Sequence, residues 1–387
     1  MEHGHRVLFL SGPVEPPWTR SDKNLVRGIA ANLQRYRAKV LTHEGAGPPD
    51  PHVETESAWG PRIGGHTPFG RRLGLFGRML EQREIALVQL FWPADTLVAS
   101  VVRLGARLRG LPVVHTLVKP PRTTVGVRQG LAGSPVVCLT EETRRRLEAE
   151  GVPNVRHLPP GIALVPPIPP GEHAAIRRKY RIPMDVPVIV YAGDYAHGNA
   201  ARTVAAAMPR ILRQEAVHFV LACRIRGEAD AHEEARLKAA VTADGIAQHV
   251  TFLNEVTSLR ELFAIATLQV FPADRYHEKM ELPMVLLEGM AERLATVVAQ
   301  KPPLTELVQQ GGALAVPPMD PVGLAVAVVQ LVRAPDRRIA LGEAGRRLVE
   351  AQFDVRKVAA HYESLWDEVI AQHRATSRPR TAALWTW

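Results

Sequence analysis

A chain of 387 residues, 46% hydrophobic and 22% charged, has enough apolar material for two ordinary domains and excludes global disorder. The longest apolar run near its end, Val322 to Val332, is interrupted by Gln330 and falls short of the roughly twenty residues a membrane span needs. Its formal charge of +9 is uneven: residues 1–160 carry 22 basic and 14 acidic side chains, residues 161–387 carry 26 and 25. A basic first half points to a polyanionic neighbour such as an anionic membrane face, or to a solvated arginine-rich surface. Nucleic acid is disfavoured, because aromatic residues total only 5% and do not interleave with the basic ones. Cys138 and Cys223 are too few and too far apart for a disulfide framework or a cysteine zinc site. The N-terminal apolar stretch is too short for a signal-peptide core, which predicts a cytoplasmic protein.

In chain order, Arg6–Ser11 predicts a buried strand and Asn24–Leu33 an amphipathic helix. Strands follow at Lys39–Thr42, Ile85–Phe91, Pro112–Thr116 and Pro135–Thr140. Thr140 then caps a helix that carries Glu141 and Glu142 in its first turn. Residues 159–187 hold eight prolines, which predicts a linker over 161–187 with neither helix nor central strand. Strands resume at Pro187–Ala192, Val217–Ala222, His249–Leu253 and Leu268–Phe271, and the chain ends in helix from Val322 past Tyr362. This alternation predicts α/β architecture with parallel sheets: an N-terminal domain over 1–160 and a second over 188–353. A C-terminal helix over 354–373 packs back toward the first, and 374–387 form a tail. Two such domains imply a cleft, with ligands at the carboxyl ends of the strands.

No dinucleotide, Walker, HExxH or GxSxG motif is present, so the chemistry falls to loop–helix junctions at strand ends. In His277-Glu-Lys-Met-Glu-Leu-Pro-Met-Val-Leu-Leu-Glu-Gly-Met-Ala291, Pro283 suits the first turn of a helix. The seven-residue spacing of Glu281 and Glu288 predicts one helical face for both. A carboxylate there can accept two ribose hydroxyls and the helix N-terminus can hold a diphosphate; the plainer alternative is one exposed and one half-buried glutamate. Gly193-Asp-Tyr-Ala-His-Gly198 is either a second backbone approach to a ligand or an ordinary turn. His115 ends a strand, with Lys119 and Arg122 beyond it, and is either cleft-facing or structural. Gly12-Pro13 is the corresponding loop of the first strand. Arg71, Arg72, Arg78 and Arg83 interleave with apolar residues, as in a lipid-facing helix or a core helix with a solvated face.

Together these pieces resemble retaining glycosyltransferase family 4, whose GT-B architecture sets two Rossmann-like parallel-sheet domains about a central cleft. The resemblance rests on Val155-Arg-His-Leu-Pro-Pro-Gly-Ile162, Pro283–Ala291, Gly311-Gly-Ala-Leu-Ala-Val-Pro-Pro-Met-Asp-Pro321 and the ending Phe353–Trp366. It implies transfer of a hexose from a nucleoside-diphosphate sugar to a lipid-linked or polysaccharide acceptor, with retention and no metal or other cofactor. Glu288 would bind the donor ribose, His115 the transferred sugar, and the Met284 and Val285 amides the phosphates, with Glu281 the second acid. Gly193, His197, Gly198, Arg224 and Lys279 complete the donor side; Gly12, Arg20, Lys119 and Arg122 form the acceptor side.

The chain departs from the family pattern at three places. Met280 stands where the family's E-x7-E places its first acid. Asp194 and His197 replace the arginine and lysine of its phosphate clamp, so Arg224 or Lys279 must offset Asp194. Arg20-Ser21 replaces a glycine pair. These departures leave two alternatives open: a degenerate, partner-binding subunit, which would bind no nucleotide, and a nucleotide-sugar epimerase, which would form an epimer without an acceptor.

Overall fold

The computed structural model describes residues 5–18, 20–59, 77, 79, 81, 84–254, 256–275 and 279–377. Two compact units emerge. Of the described residues, unit 1 comprises those up to Ala163, a stretch ending at Glu281 and those from Val355; unit 2 comprises those from Leu164 and Leu282–Asp354.

In unit 1 the elements run β1 (Arg6–Leu10), α1 (Ser21–Ala31), β2 (Arg37–Thr42), β3 (Glu54–Ser57), β4 (Ile85–Phe91), α2 (Thr96–Arg109), β5 (Val113–Leu117), β6 (Val136–Cys138), α3 (Glu141–Ala149) and β7 (Val155–His157). The seven strands are parallel, in the order β3-β2-β1-β4-β5-β6-β7. Central strands such as IALVQLF read as continuous apolar runs because a parallel sheet is covered on both faces. The edge strand β3, Glu-Thr-Glu-Ser, has no apolar pattern, and sequence reasoning missed it.

Unit 2 contains α4 (Pro170–Lys179), β8 (Val188–Gly193), α5 (Ala200–Leu212), β9 (His218–Cys223), α6 (Glu228–Ala243), β10 (Val250–Leu253), α7 (Leu259–Ile265), β11 (Leu268–Phe271), α8 (Met284–Ala291), β12 (Ala295–Ala299), α9 (Thr305–Gln309), β13 (Leu314–Val316), α10 (Pro321–Arg333) and α11 (Pro335–Leu348). Its six parallel strands lie in the order β10-β9-β8-β11-β12-β13. The strand order reverses between β8 and β11, the place where open α/β sheets leave a crevice at their carboxyl edge. The chain then returns to unit 1 as α12 (Val355–Ser377).

Helix α4 corrects the expectation that 161–187 holds no helix. Its prolines crowd the two ends of the stretch and leave 171–182 proline-free, while Pro170 takes the first helical position, where no amide hydrogen is needed. Ile176 and Tyr180 pack into the unit 2 core. Arg177 donates to the carbonyls of Pro183, Val186 and Ile265, tying the helix to the segment that leads into β8 and to the end of α7.

Each sheet buries one glutamine at its centre. In unit 1, Gln89 donates to Thr116 (3.0 Å) and accepts from the indole of Trp366 on α12 (2.9 Å). In unit 2, Gln269 of β11 donates to Thr296 Oγ1 (2.8 Å) and to the Leu286 carbonyl of α8 (2.9 Å). A Cβ at Gly289 would run into that same glutamine side chain, so the close seat of α8 on β11 requires glycine there. These contacts fix the helix that carries Glu288.

Candidate functional site

Helix α8 buries Leu286, Leu287 and Met290 against the sheet. Its N-terminus, at Met284 and Val285, has no side-chain cap, which leaves its first amides to other acceptors. Glu288 is half-buried and its carboxylate has no hydrogen-bond or ion-pair partner among the described residues. Burial with no compensating cation raises its pKa to about 7. Glu281 does not share a helical face with it. That residue precedes the helix and belongs to unit 1, where it is buried and accepts from the hydroxyls of Thr140 (3.0 Å) and Thr143. Thr140, as expected, caps α3 by accepting from the Thr143 amide (3.3 Å). Lys279 likewise falls in unit 1, and Glu278 lies outside the described residues.

The loop from β8 to α5 forms the other wall of the crevice. A Cβ at Gly193 would lie 2.5 Å from the Tyr191 hydroxyl, which itself donates to the Asp194 carbonyl (2.9 Å). Gly198 has φ +74°, and a Cβ there would press on the backbone carbonyl of Arg275 at 3.1 Å. Asn199 follows at φ +54° and donates to both oxygens of Asp274 (3.2 and 3.0 Å), while the Asp274 amide donates to the Gly198 carbonyl (3.0 Å). The loops after β8 and β11 are thereby joined, and α5, whose N-terminus has no side-chain cap, starts directly after the first of them. His197 sits half-buried in this loop.

Asp194, expected to be offset by Arg224 or Lys279, pairs with Arg226 at 3.2 Å and also interacts electrostatically with Arg224. Sequence reasoning missed Arg226; the signal was a second arginine three places beyond the strand end, just before Gly227. Arg224 is half-buried, and burial followed by repulsion from Arg226 lowers its pKa. The structure therefore places Gly193, His197, Gly198, Arg224, Met284, Val285 and Glu288 on one carboxyl edge of one sheet.

In unit 1, Gly12 and Arg20 line a small recess together with Ser11, Pro13, Asp22, Lys23, Val26, Phe91 and Val118. Arg20 precedes α1 and grips Asp22 with Nε at 3.0 Å. Lys119 is half-buried and Arg122 exposed in the loop after β5. His115 has a structural placement. It is 1% exposed, Nδ1 accepts from the Ala132 amide (3.1 Å), and Nε2 donates to the Trp92 carbonyl (3.0 Å). Burial lowers its pKa to about 4, so the ring is neutral and both nitrogens are engaged with main chain. Arg71, Arg72, Arg78 and Arg83 lie outside the described residues.

Residues 186–334 match the family described as Glycosyl transferases group 1. Over 142 residues the chain is 28% identical to the lipopolysaccharide core biosynthesis mannosyltransferase LpcC of Rhizobium leguminosarum bv. viciae, covering 36% of this chain and 39% of that one. The chain spans about two fifths to a half of the length of the curated relatives it matches. The fold likeness extends further. A glycosyltransferase from Rickettsia africae ESF-5 superposes with a TM-score of 0.78 at 12% identity, over 95% of this chain and 99% of that one. Anabaena Alr3699/HepE in complex with UDP and glucose gives 0.75 at 15%, over 93% and 99%. The two parallel-sheet units are those of the GT-B fold.

Proposed function

We propose, from the match of residues 186–334 to the group 1 glycosyl transferases, that the chain is a retaining, metal-independent hexosyltransferase. It moves a hexose from a nucleoside-diphosphate sugar to a lipid-linked or polysaccharide acceptor at the inner, anionic face of the cell membrane. Glu288 carries this reading. A carboxylate without a partner, half-buried on the helix after β11, is the group this reading assigns to accept both ribose hydroxyls of a donor nucleotide. The first amides of α5 and α8, which no side chain caps, are the proposed donors for a diphosphate, and the protein works by positioning and by stabilising that leaving group. The donor's own phosphate takes the proton of the acceptor hydroxyl as the new glycosidic bond forms on the face that the diphosphate leaves. UDP-glucose, bound by the Anabaena neighbour, is the first donor to try, and a mannosyl donor the second.

The test is thermal stabilisation by UDP, GDP, ADP and their sugars, on the wild-type protein and Glu288→Ala. A ligand that binds only the native state adds about 2.7 kcal/mol at a hundredfold excess over Kd. The expected result is a shift with one nucleotide family that disappears in the variant. No shift with any of them overturns the proposal and favours a partner-binding subunit, the reading to which the main-chain-engaged His115 lends its weight.

A further inference from the structure

The pairing Gly193↔Cys223 brings Asp194 and Arg224 off neighbouring strands side by side, since adjacent strands lie about 4.8 Å apart. Arg226, two residues on, turns back to put Nη2 3.2 Å from Asp194 Oδ1. A second carboxylate, Asp230, fixes the turn: its two oxygens accept from the Arg226 amide (3.1 Å) and from the Ala196 amide (3.2 Å). One aspartate thus locks the β9 loop to the β8 loop, and the other aims a guanidinium along the carboxyl edge. An arginine offers five donors, and the ion pair to Asp194 engages only one side of the fork. Its side chain is 45% exposed, whereas that of Asp194 is 18% exposed.

We propose that Arg226, oriented by Asp194 and backed by Arg224, contacts the diphosphate of the donor nucleotide, with Asp194 as a positioning residue. This rests on the nucleotide-sugar reading of the same edge. It reverses the sign naively assigned to position 194: a bare aspartate would repel a diphosphate, whereas one already paired serves to hold a cation toward it.

The two roles of Asp194 predict opposite results. UDP, uridine and inorganic pyrophosphate are titrated against wild type, Asp194→Asn, Arg226→Gln and the double variant by calorimetry, with thermal unfolding of each unliganded protein as the folding control. Arg226→Gln is expected to weaken UDP and pyrophosphate by about tenfold or more and to leave uridine unchanged. Asp194→Asn is expected to weaken the same two ligands. The double variant is expected to match Arg226→Gln alone, because the residues act as a unit. Tighter UDP or pyrophosphate binding in Asp194→Asn, or unchanged binding in Arg226→Gln, overturns the inference. If UDP binding is lost only in Glu288→Ala, this inference falls and the nucleotide reading stands. If wild type binds neither UDP nor pyrophosphate, both fall.

Discussion

Glu288 holds its proton more tightly in the folded chain than in the unfolded one, because burial raises its pKa from 4.5 to about 7. The folded state therefore binds more protons between those two values, and this residue's contribution to stability falls as pH rises through them. Ribose hydroxyls donate best to the ionised carboxylate, so nucleotide binding and ionisation reinforce each other. Nucleotide affinity is expected to weaken as pH drops below about 7 in wild type and to show little of that dependence in Glu288→Gln, read by calorimetry at pH 5.5 to 8. Identical pH profiles for the two proteins would sink the assignment. The identity of this residue was legible in sequence; its isolation was not. Helical spacing places Glu288 near the boundary of core and crevice, but only the packing of Gly289 on Gln269 decides how far the helix sinks. In the same way Asp194 reads as a defect until the partner that folds back to it, Arg226, is seen.

At the scale of elements, α12 is attached to unit 1 by one carboxylate as much as by its apolar face. Glu363 Oε1 accepts from the amides of Gln34 (2.8 Å), Arg35 (2.6 Å) and Tyr36 (3.2 Å), which would otherwise be unsatisfied at the turn between α1 and β2. Trp366 and Tyr362 pack beside it, Tyr362 within 3.0 Å of Thr116. Glu363→Ala leaves three main-chain donors without an acceptor and is expected to cost roughly 1.5–3 kcal/mol, seen as a lower urea midpoint. An unchanged midpoint would mean that water satisfies the turn. This attachment links residues about 330 positions apart and leaves no local signal beyond an apolar stripe. Most central strands were legible because burial on both faces writes an apolar run, though β12, an equally buried run, was not read as one. The polar β3 and the short helix α4 were not legible, the first for want of that run and the second because proline count outweighed proline position.

Across the whole molecule the excess charge belongs to one stretch of chain, with 22 basic against 14 acidic side chains in residues 1–160. Helix α2 contributes Arg103, Arg107 and Arg109 with no acidic residue within it. No helix among the described residues is long and apolar enough to cross a membrane, so the proposed attachment to lipid acts through surface charge. Such attraction amounts to about 1 kcal/mol per basic residue near an anionic surface, and it decays over a Debye length of about 10 Å at 0.1 M salt and 3 Å at 1 M. The full chain is therefore expected to sediment with vesicles containing phosphatidylglycerol at low salt, to be released at 1 M salt, and to ignore phosphatidylcholine vesicles throughout. Release by salt with retained nucleotide binding would separate the charged surface from the donor site. Binding that survives 1 M salt, or that does not distinguish the two lipids, would count against an electrostatic attachment and return the charge excess to an ordinary solvated surface.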